Sequence, residues 1–329
     1  MAAEWLHEAG IGEERAILVE NGAIVAARVD WGEPLRAGLV ADARLLSKPA
    51  GTRRGLARLG DGSEVLIDAL PRDASEGDTL RLRIVRAALA ERGRTKRAQT
   101  RHDSDATLGP APSLLDELRG GPLPVREVRI AGREFADHGW DELIEQAQSG
   151  EIAFTGGTLT VSPTPAMTLI DVDGYGAPPA LALAAVPAIA AAVRRLDLGG
   201  SVGIDFPSLA EKRDRQAVDT ALGEALAGWR GERTAMNGFG FVQLVSRLER
   251  PSLVVRYARS VAAQARVLLR QAERVSEPGV LLLTAPPAVR RAVLPEWQDE
   301  LARRTGRRIA WREDPGLAGQ AAFAQAVAS

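Results

Sequence analysis

Met167-Thr168-Leu169-Ile170-Asp171-Val172-Asp173-Gly174 is an apolar run that ends in acids, and Val202-Gly203-Ile204-Asp205-Phe206 repeats the arrangement 34 residues after Asp171. Both runs have the length and side chains of short strands. An acid inside an otherwise apolar strand is desolvated unless a cation compensates it. The span between them is long enough for a helical crossover, which would bring both acids to the ends of neighbouring strands. Two or three carboxylates converging there would suit Mg²⁺, a hard cation that takes oxygen ligands and keeps several waters. Such an ion polarises a phosphodiester oxygen and lowers the pKa of an attacking water. The plainer alternative is that one acid caps the following element or pairs with Arg194 or Arg195.

Around this pair the pattern is mixed α/β. Strands are predicted at Pro124–Ile130, Thr158–Val161, Ala166–Val172, Gly200–Phe206 and Phe239–Leu244, with helices at Gly139–Gln148, Leu181–Leu196 (interrupted at Pro187) and Lys212–Gly228. Farther on come a long helix Arg259–Val275, a strand Gly279–Thr284, a helix Pro287–Thr305 and a last strand Arg307–Trp311. Upstream, Arg15–Val19 and Ala23–Val29 flank Glu20-Asn21-Gly22, a hairpin signal. Short strands follow at Gly38–Leu45, Arg54–Leu59, Glu64–Ile67 and Thr79–Val85, separated by Gly and Asp turns. Their number and spacing suggest a small barrel of the oligonucleotide-binding kind. The polar stretch Thr100–Pro112 reads as a linker.

The chain has 329 residues, 42 basic against 43 acidic, and 45% hydrophobic side chains, which fits several compact units and excludes a mainly disordered chain. Cysteine is absent, which excludes disulfides, thiolate zinc sites and a cysteine nucleophile; His7, His102 and His138 are too scattered for a histidine metal cluster. No signal-like apolar run opens the chain, and Ala177–Val193 is too short and proline-rich to span a membrane, so a cytoplasmic location is expected. Arg81–Arg101 holds eight Arg or Lys against Glu91 alone. Such a run either contacts phosphates or forms a solvated basic face.

The residues themselves carry a resemblance. Arg194-Arg195-Leu196-Asp197-Leu198-Gly199-Gly200 and Gly203-Ile204-Asp205-Phe206 resemble, in order and without gaps, the helix end and strand of the ribonuclease E/G catalytic core. Asn237-Gly238-Phe239-Gly240-Phe241 followed by Ser246-Arg247 is similar to that family's Ser-Arg-Phe-Gly…Ser-Arg segment. The resemblance implies an α+β or α/β multidomain protein. Residues 1–33 would be a hairpin belonging to the core, and 34–101 an S1-like barrel inserted near the N-terminus. Residues 102–149 would link back to the core, 150–250 would form the α/β catalytic domain, and 251–329 a small C-terminal α/β domain. It further implies an endoribonuclease acting on single-stranded RNA in RNA processing or decay. Asp171 and Asp205 would be the Mg²⁺ ligands and catalytic residues, with Asp173 standing where the family has an orienting Asn. Lys96, with Arg94 and Arg97, would grip the RNA backbone at the barrel's end, and Arg213 matches a basic position after Asp205.

Four departures qualify that transfer. The interval from Lys96 to Gly150 is too short for the family's 5′-monophosphate sensor, so cleavage independent of the RNA 5′ end is expected. Leu56 and Leu66 stand where the family has stacking aromatics, and no Phe or Tyr occurs between Trp31 and Phe135. The Cys-Pro-x-Cys zinc link is missing, which excludes a zinc-joined dimer and leaves a homodimer by packing. Asp173 replaces an amide by an acid. Two further readings stay open: a catalytically degenerate RNA-binding relative, and a phosphodiesterase with another substrate.

Overall fold

The computed structural model describes residues 3–91, 94–129, 133–258 and 260–328. The chain opens with β1 (Glu4–Gly10), β2 (Glu13–Glu20) and β3 (Ala23–Asp30), an antiparallel meander. Asn21 and Gly22 turn β2 into β3 with positive φ, which is the predicted hairpin chemistry. The polar segment at the start is itself a strand. Its His7 and Glu8 are buried.

The next elements are β4 (Val40–Ser47), β5 (Gly55–Leu59), β6 (Glu64–Asp68) and β7 (Thr79–Arg86). A ribbon of β8 (Leu89–Glu91) and β9 (Arg94–Lys96) follows, and then β10 (Gln99–His102). Five of these strands close a barrel: β4 pairs with β5, β5 with β6, β6 in parallel with β10, and β7 joins β10 to β4. That circuit is the five-stranded oligonucleotide-binding arrangement. The predicted linker therefore needs correcting, because Thr100–His102 belongs to the closing strand: Thr100 is fully buried, its hydroxyl donating to the Leu66 carbonyl at 2.9 Å.

The chain returns through α1 (Leu114–Arg119), β11 (Val125–Glu127), α2 (Glu134–Asp137) and α3 (Trp140–Ser149). Ser113 and Asp116 form a capping box at α1, and β11 pairs in parallel with β1. Of the predicted Pro124–Ile130 strand, Ile130 lies outside the described residues.

Next come β12 (Glu151–Phe154), β13 (Gly157–Pro163), β14 (Thr168–Gly174), α4 (Pro178–Arg195), β15 (Ser201–Asp205), α5 (Lys212–Ala225), β16 (Gly231–Arg233) and β17 (Phe241–Ser246). The strands form one sheet in the order β12-β13-β14-β15-β17-β16. β14 and β15 are parallel, and α4 is their crossover. Pro187 does not interrupt α4, contrary to expectation. It is exposed and leaves the exposed Leu183 carbonyl to solvent, while Ala182, Ala185, Val186, Ile189 and Ala190 keep a continuous buried stripe.

α4 touches β3 as well as β12, β13 and β14, so the first meander and this sheet share one core. The barrel has its own core, built on Leu45, Ile67, Leu82 and Ile84.

The last part contains α6 (Leu253–Tyr257), α7 (Val261–Glu273), β18 (Val280–Ala285), α8 (Pro287–Ala292), α9 (Pro295–Thr305), β19 (Ile309–Glu313) and β20 (Phe323–Val327). Two predicted helices are corrected. Arg259 lies outside the described residues and the following helix begins at Val261, capped by Ser260. The 287–305 helix is split, because Pro295 sits within the first turn of a new helix after extended Val293 and Leu294. The sheet order is β19-β18-β20, over a third core that also takes in Ile11 from the β1–β2 tip. Among the described residues, no helix is long and apolar enough to cross a membrane.

Candidate active site

Strand β14 alternates. Ile170 and Val172 are buried against the core, while Asp171 and Asp173 point to the open face of the sheet. The same holds in β15, where Ile204 is buried and Asp205 is exposed. The buried residues of each strand lie on one face and the acids on the other, so the desolvation expected of an acid in an apolar strand is partial.

Asp171 and Asp205 are direct register partners across the parallel pair, so their side chains stand together on strands about 4.8 Å apart. Thr160 pairs with Asp171, Thr158 with Asp173, and Phe241 with Asp205. The open face therefore carries a polar row with the carboxylates at its centre. Gly203 lies between Leu169 and Gln243, and a Cβ there would come within 2.5 Å of the Phe241 ring. The Phe241 ring thus reaches over Gly203, where there is no side chain to meet it, beside the acids.

The electrostatics are those of an uncompensated acidic cluster. Asp171 is held above the ordinary aspartate range by partial desolvation, by the charges of Asp173 and Asp205, and by a hydrogen bond shared with Asp173. Neither arginine considered as a partner reaches it. Arg194 instead donates to the Ala225 and Ala227 carbonyls at the end of α5, at 3.1 and 3.0 Å. Arg195 has a buried Nε with no partner.

The Arg194–Gly200 motif belongs to the far end of β15 and acts by shaping the crossover. Asp197 takes a left-handed conformation, the Asp197 N–H donates to the Arg194 carbonyl, and the Leu198 N–H donates to the Val193 carbonyl at 3.0 Å. That is a Schellman stop for α4, with Leu198 and Val193 both buried.

The remaining basic positions are spread out. Arg213 opens α5 after β15, highly exposed and 3.3 Å from Asp214. Lys96 is exposed on β9. Arg97 pairs with Glu64 at 3.0 Å. Arg94 lies on β9, but its side chain is outside the described residues. Within the basic run, Arg81 and Arg83 pair with Asp42 and Asp103 at 3.1 and 2.8 Å, and Arg86 is buried. The alternation of basic and apolar residues in Arg81–Arg86 is thus mainly the mark of a barrel strand. Leu56 and Leu66 face each other across β5 and β6, and Leu66 is exposed.

Among the described residues, no group of three acids or histidines is placed to enclose a metal ion. Mg²⁺ does not require one, since it is commonly held by one or two carboxylates and several waters. The facing pair Asp171 and Asp205, with mutual repulsion to relieve, is a donor set that fits such an ion.

A closed five-stranded barrel joined to an α/β sheet with paired carboxylates at parallel strand ends places the molecule among mixed α/β, multi-sheet proteins. More specifically, residues 124–247 match the model of the Ribonuclease E/G family and carry a domain of that family. That segment contains all three acids, α4, α5 and β17, and the barrel outside it is consistent with an S1-like domain. No curated protein matches the chain.

Proposed function

We propose that the protein is a Mg²⁺-dependent endoribonuclease that cuts single-stranded RNA without regard to the state of its 5′ end. The observation that carries this reading is the direct register of Asp171 with Asp205 on the open face of the sheet, within the segment matched to the family. These two carboxylates would hold the ion, which when bound supplies Lewis-acid polarisation of a phosphodiester oxygen and a more acidic water. Asp173, hydrogen-bonded to Asp171, fixes the orientation of that carboxylate and adds a further negative charge. Thr158 and Thr160, their register partners on β13, set hydroxyls on the same face for an RNA backbone. Arg213 and Lys96 supply exposed cations for other phosphates along the strand. Indifference to the 5′ end is supported by the elements between β10 and β12. There α1 and β11 close onto β2 and β1, and α3 packs on α6 and β12.

A second reading, an RNA-binding relative without the chemistry, is favoured by Asp173, whose charge opposes ionisation of Asp171.

Cleavage of a 5′-hydroxyl, A/U-rich single-stranded oligonucleotide with Mg²⁺ separates the two. Asp171→Asn and Asp205→Asn are each expected to lower the rate by about a hundredfold or more, since each removes a ligand from an ion that contributes several kcal/mol. No cutting by the wild type, with salt-sensitive RNA binding that both substitutions leave intact, would establish the second reading instead.

A further inference from the structure

We infer that Tyr175 and Phe239 form a pair of base-stacking platforms on either side of the carboxylates, so that the acidic face grips unpaired RNA by its bases. This rests on the reading of that face as an RNA site.

Tyr175 is 92% exposed and Phe239 is 86% exposed, in a chain with only 2 Tyr and 6 Phe. Tyr175 directly follows β14, two residues beyond Asp173, and its N–H donates to the Gly156 carbonyl at 3.0 Å. Phe239 lies in the turn that leads into β17, where Phe241 is the register partner of Asp205. β14 and β17 flank β15 on its two sides, so Tyr175 after β14 and Phe239 before β17 stand at the same end of the sheet as Asp205, one on the strand to each side of it.

Neither ring is on a loose loop. The Asn237 carboxamide oxygen accepts from the Phe239 and Phe241 N–H groups at 2.9 and 3.0 Å, and the Asn237 N–H donates to the Phe241 carbonyl at 3.0 Å. Gly240, at positive φ, brings this turn so close to Phe206 that a Cβ would stand 2.9 Å from the Phe206 carbonyl oxygen. A well-braced turn thus holds an apolar ring out in water.

The choice of occupant follows from chemistry. A face with three carboxylates repels an acidic partner and, without a cation, a bare phosphate chain. Nucleobases offer flat π faces that stack on aromatic rings whatever their sequence. Phe241, lying over Gly203 beside Asp205, continues the apolar floor between the two platforms. The barrel does not offer this grip, having Leu56 and Leu66 on its outer surface.

The test is filter binding of a U10 RNA and of a ten-residue abasic ribose-phosphate chain, in EDTA so that cleavage plays no part. Tyr175→Ala and Phe239→Ala are each expected to weaken U10 binding by about 5- to 150-fold, the range for loss of one stacked base. Abasic binding should stay unchanged, while Tyr175→Phe and Phe239→Trp keep U10 affinity. Phe323→Ala, which removes an exposed ring from the separate β18 sheet, controls for general stickiness and is expected to be silent. Equal U10 affinity for wild type and both alanine variants would overturn the stacking proposal and leave the nuclease reading standing. A wild type that binds neither probe would also overturn the stacking proposal, while the nuclease reading stands or falls separately on cleavage of the oligonucleotide with Mg²⁺.

Discussion

Among the three acids, Asp173 is the one that departs from the pattern the resemblance implies, and its effect is local. By hydrogen-bonding and repelling Asp171 it keeps that carboxyl protonated to a higher pH than an ordinary aspartate. Asp173→Asn removes the charge and keeps a hydrogen-bonding group. It is therefore expected to retain Mg²⁺-dependent cleavage and to hold activity to lower pH than the wild type, which a pH–rate profile of the two proteins would check. A second residue-scale expectation concerns Ala69, an exposed alanine at φ 59° after β6. The left-handed region costs an alanine about 1–2 kcal/mol, and glycine gives back part of that through its larger unfolded-state entropy. Ala69→Gly should stabilise the protein by about 0.5–1 kcal/mol, read from urea denaturation. The acids at the centre of the site were legible before any fold was known, because a strand ending in Asp is a local signal. Their exposure was not legible, since alternation in so short an apolar run is masked by Leu169 and Val172.

At the scale of elements, strands with strong periodicity or a turn signature were visible: β2 and β3 around Asn21-Gly22, the barrel strands β4 to β7, and the β14–α4–β15 crossover. What escaped were strands whose inward residues are few or polar. β1 carries His7 and Glu8, β12 is four residues long, β16 is exposed throughout, and β20 is mostly alanine and glutamine. Such segments are strands because a neighbour pairs with them, which is tertiary information. Pro187 failed as a helix breaker for a comparable reason. Burial of one stripe of α4 outweighs a lost hydrogen bond on the solvent side. Pro187→Ala restores that bond and is expected to stabilise the protein by up to about 3 kcal/mol, with Mg²⁺-dependent activity unchanged. A shift of the urea midpoint in the opposite direction would show that the proline is needed.

For the whole molecule, the feature least visible in sequence is the charged seam between the first meander and α7. Arg270 donates to Glu8 at 2.5 Å and to Glu13 at 2.7 Å, and Arg15 donates to Glu8 at 2.7 Å. All four side chains are buried, the two arginines 255 positions apart. Each reads as ordinary surface when taken alone. Burial favours the neutral form of Glu13, but Arg270 and Arg15 outweigh it and hold the carboxyl below its ordinary 4.5. Its contribution to stability is therefore complete above about pH 4.5 and is lost as the pH falls through the lower folded value. Urea midpoints should drop on that acid limb, and Glu13→Gln should flatten it. Arg270→Met leaves two buried carboxylates short of their partner and is expected to cost about 3–5 kcal/mol. Beside this network Arg266 lies between two indoles, 4.3 Å from the centre of Trp31 and 4.6 Å from that of Trp297. Trp31 comes from the N-terminal part and Trp297 from α9, so a single guanidinium clasps a fluorophore from each side. The seam is thereby self-reporting. If the C-terminal unit undocks before the rest unfolds, tryptophan emission changes while circular dichroism still registers intact helices and strands.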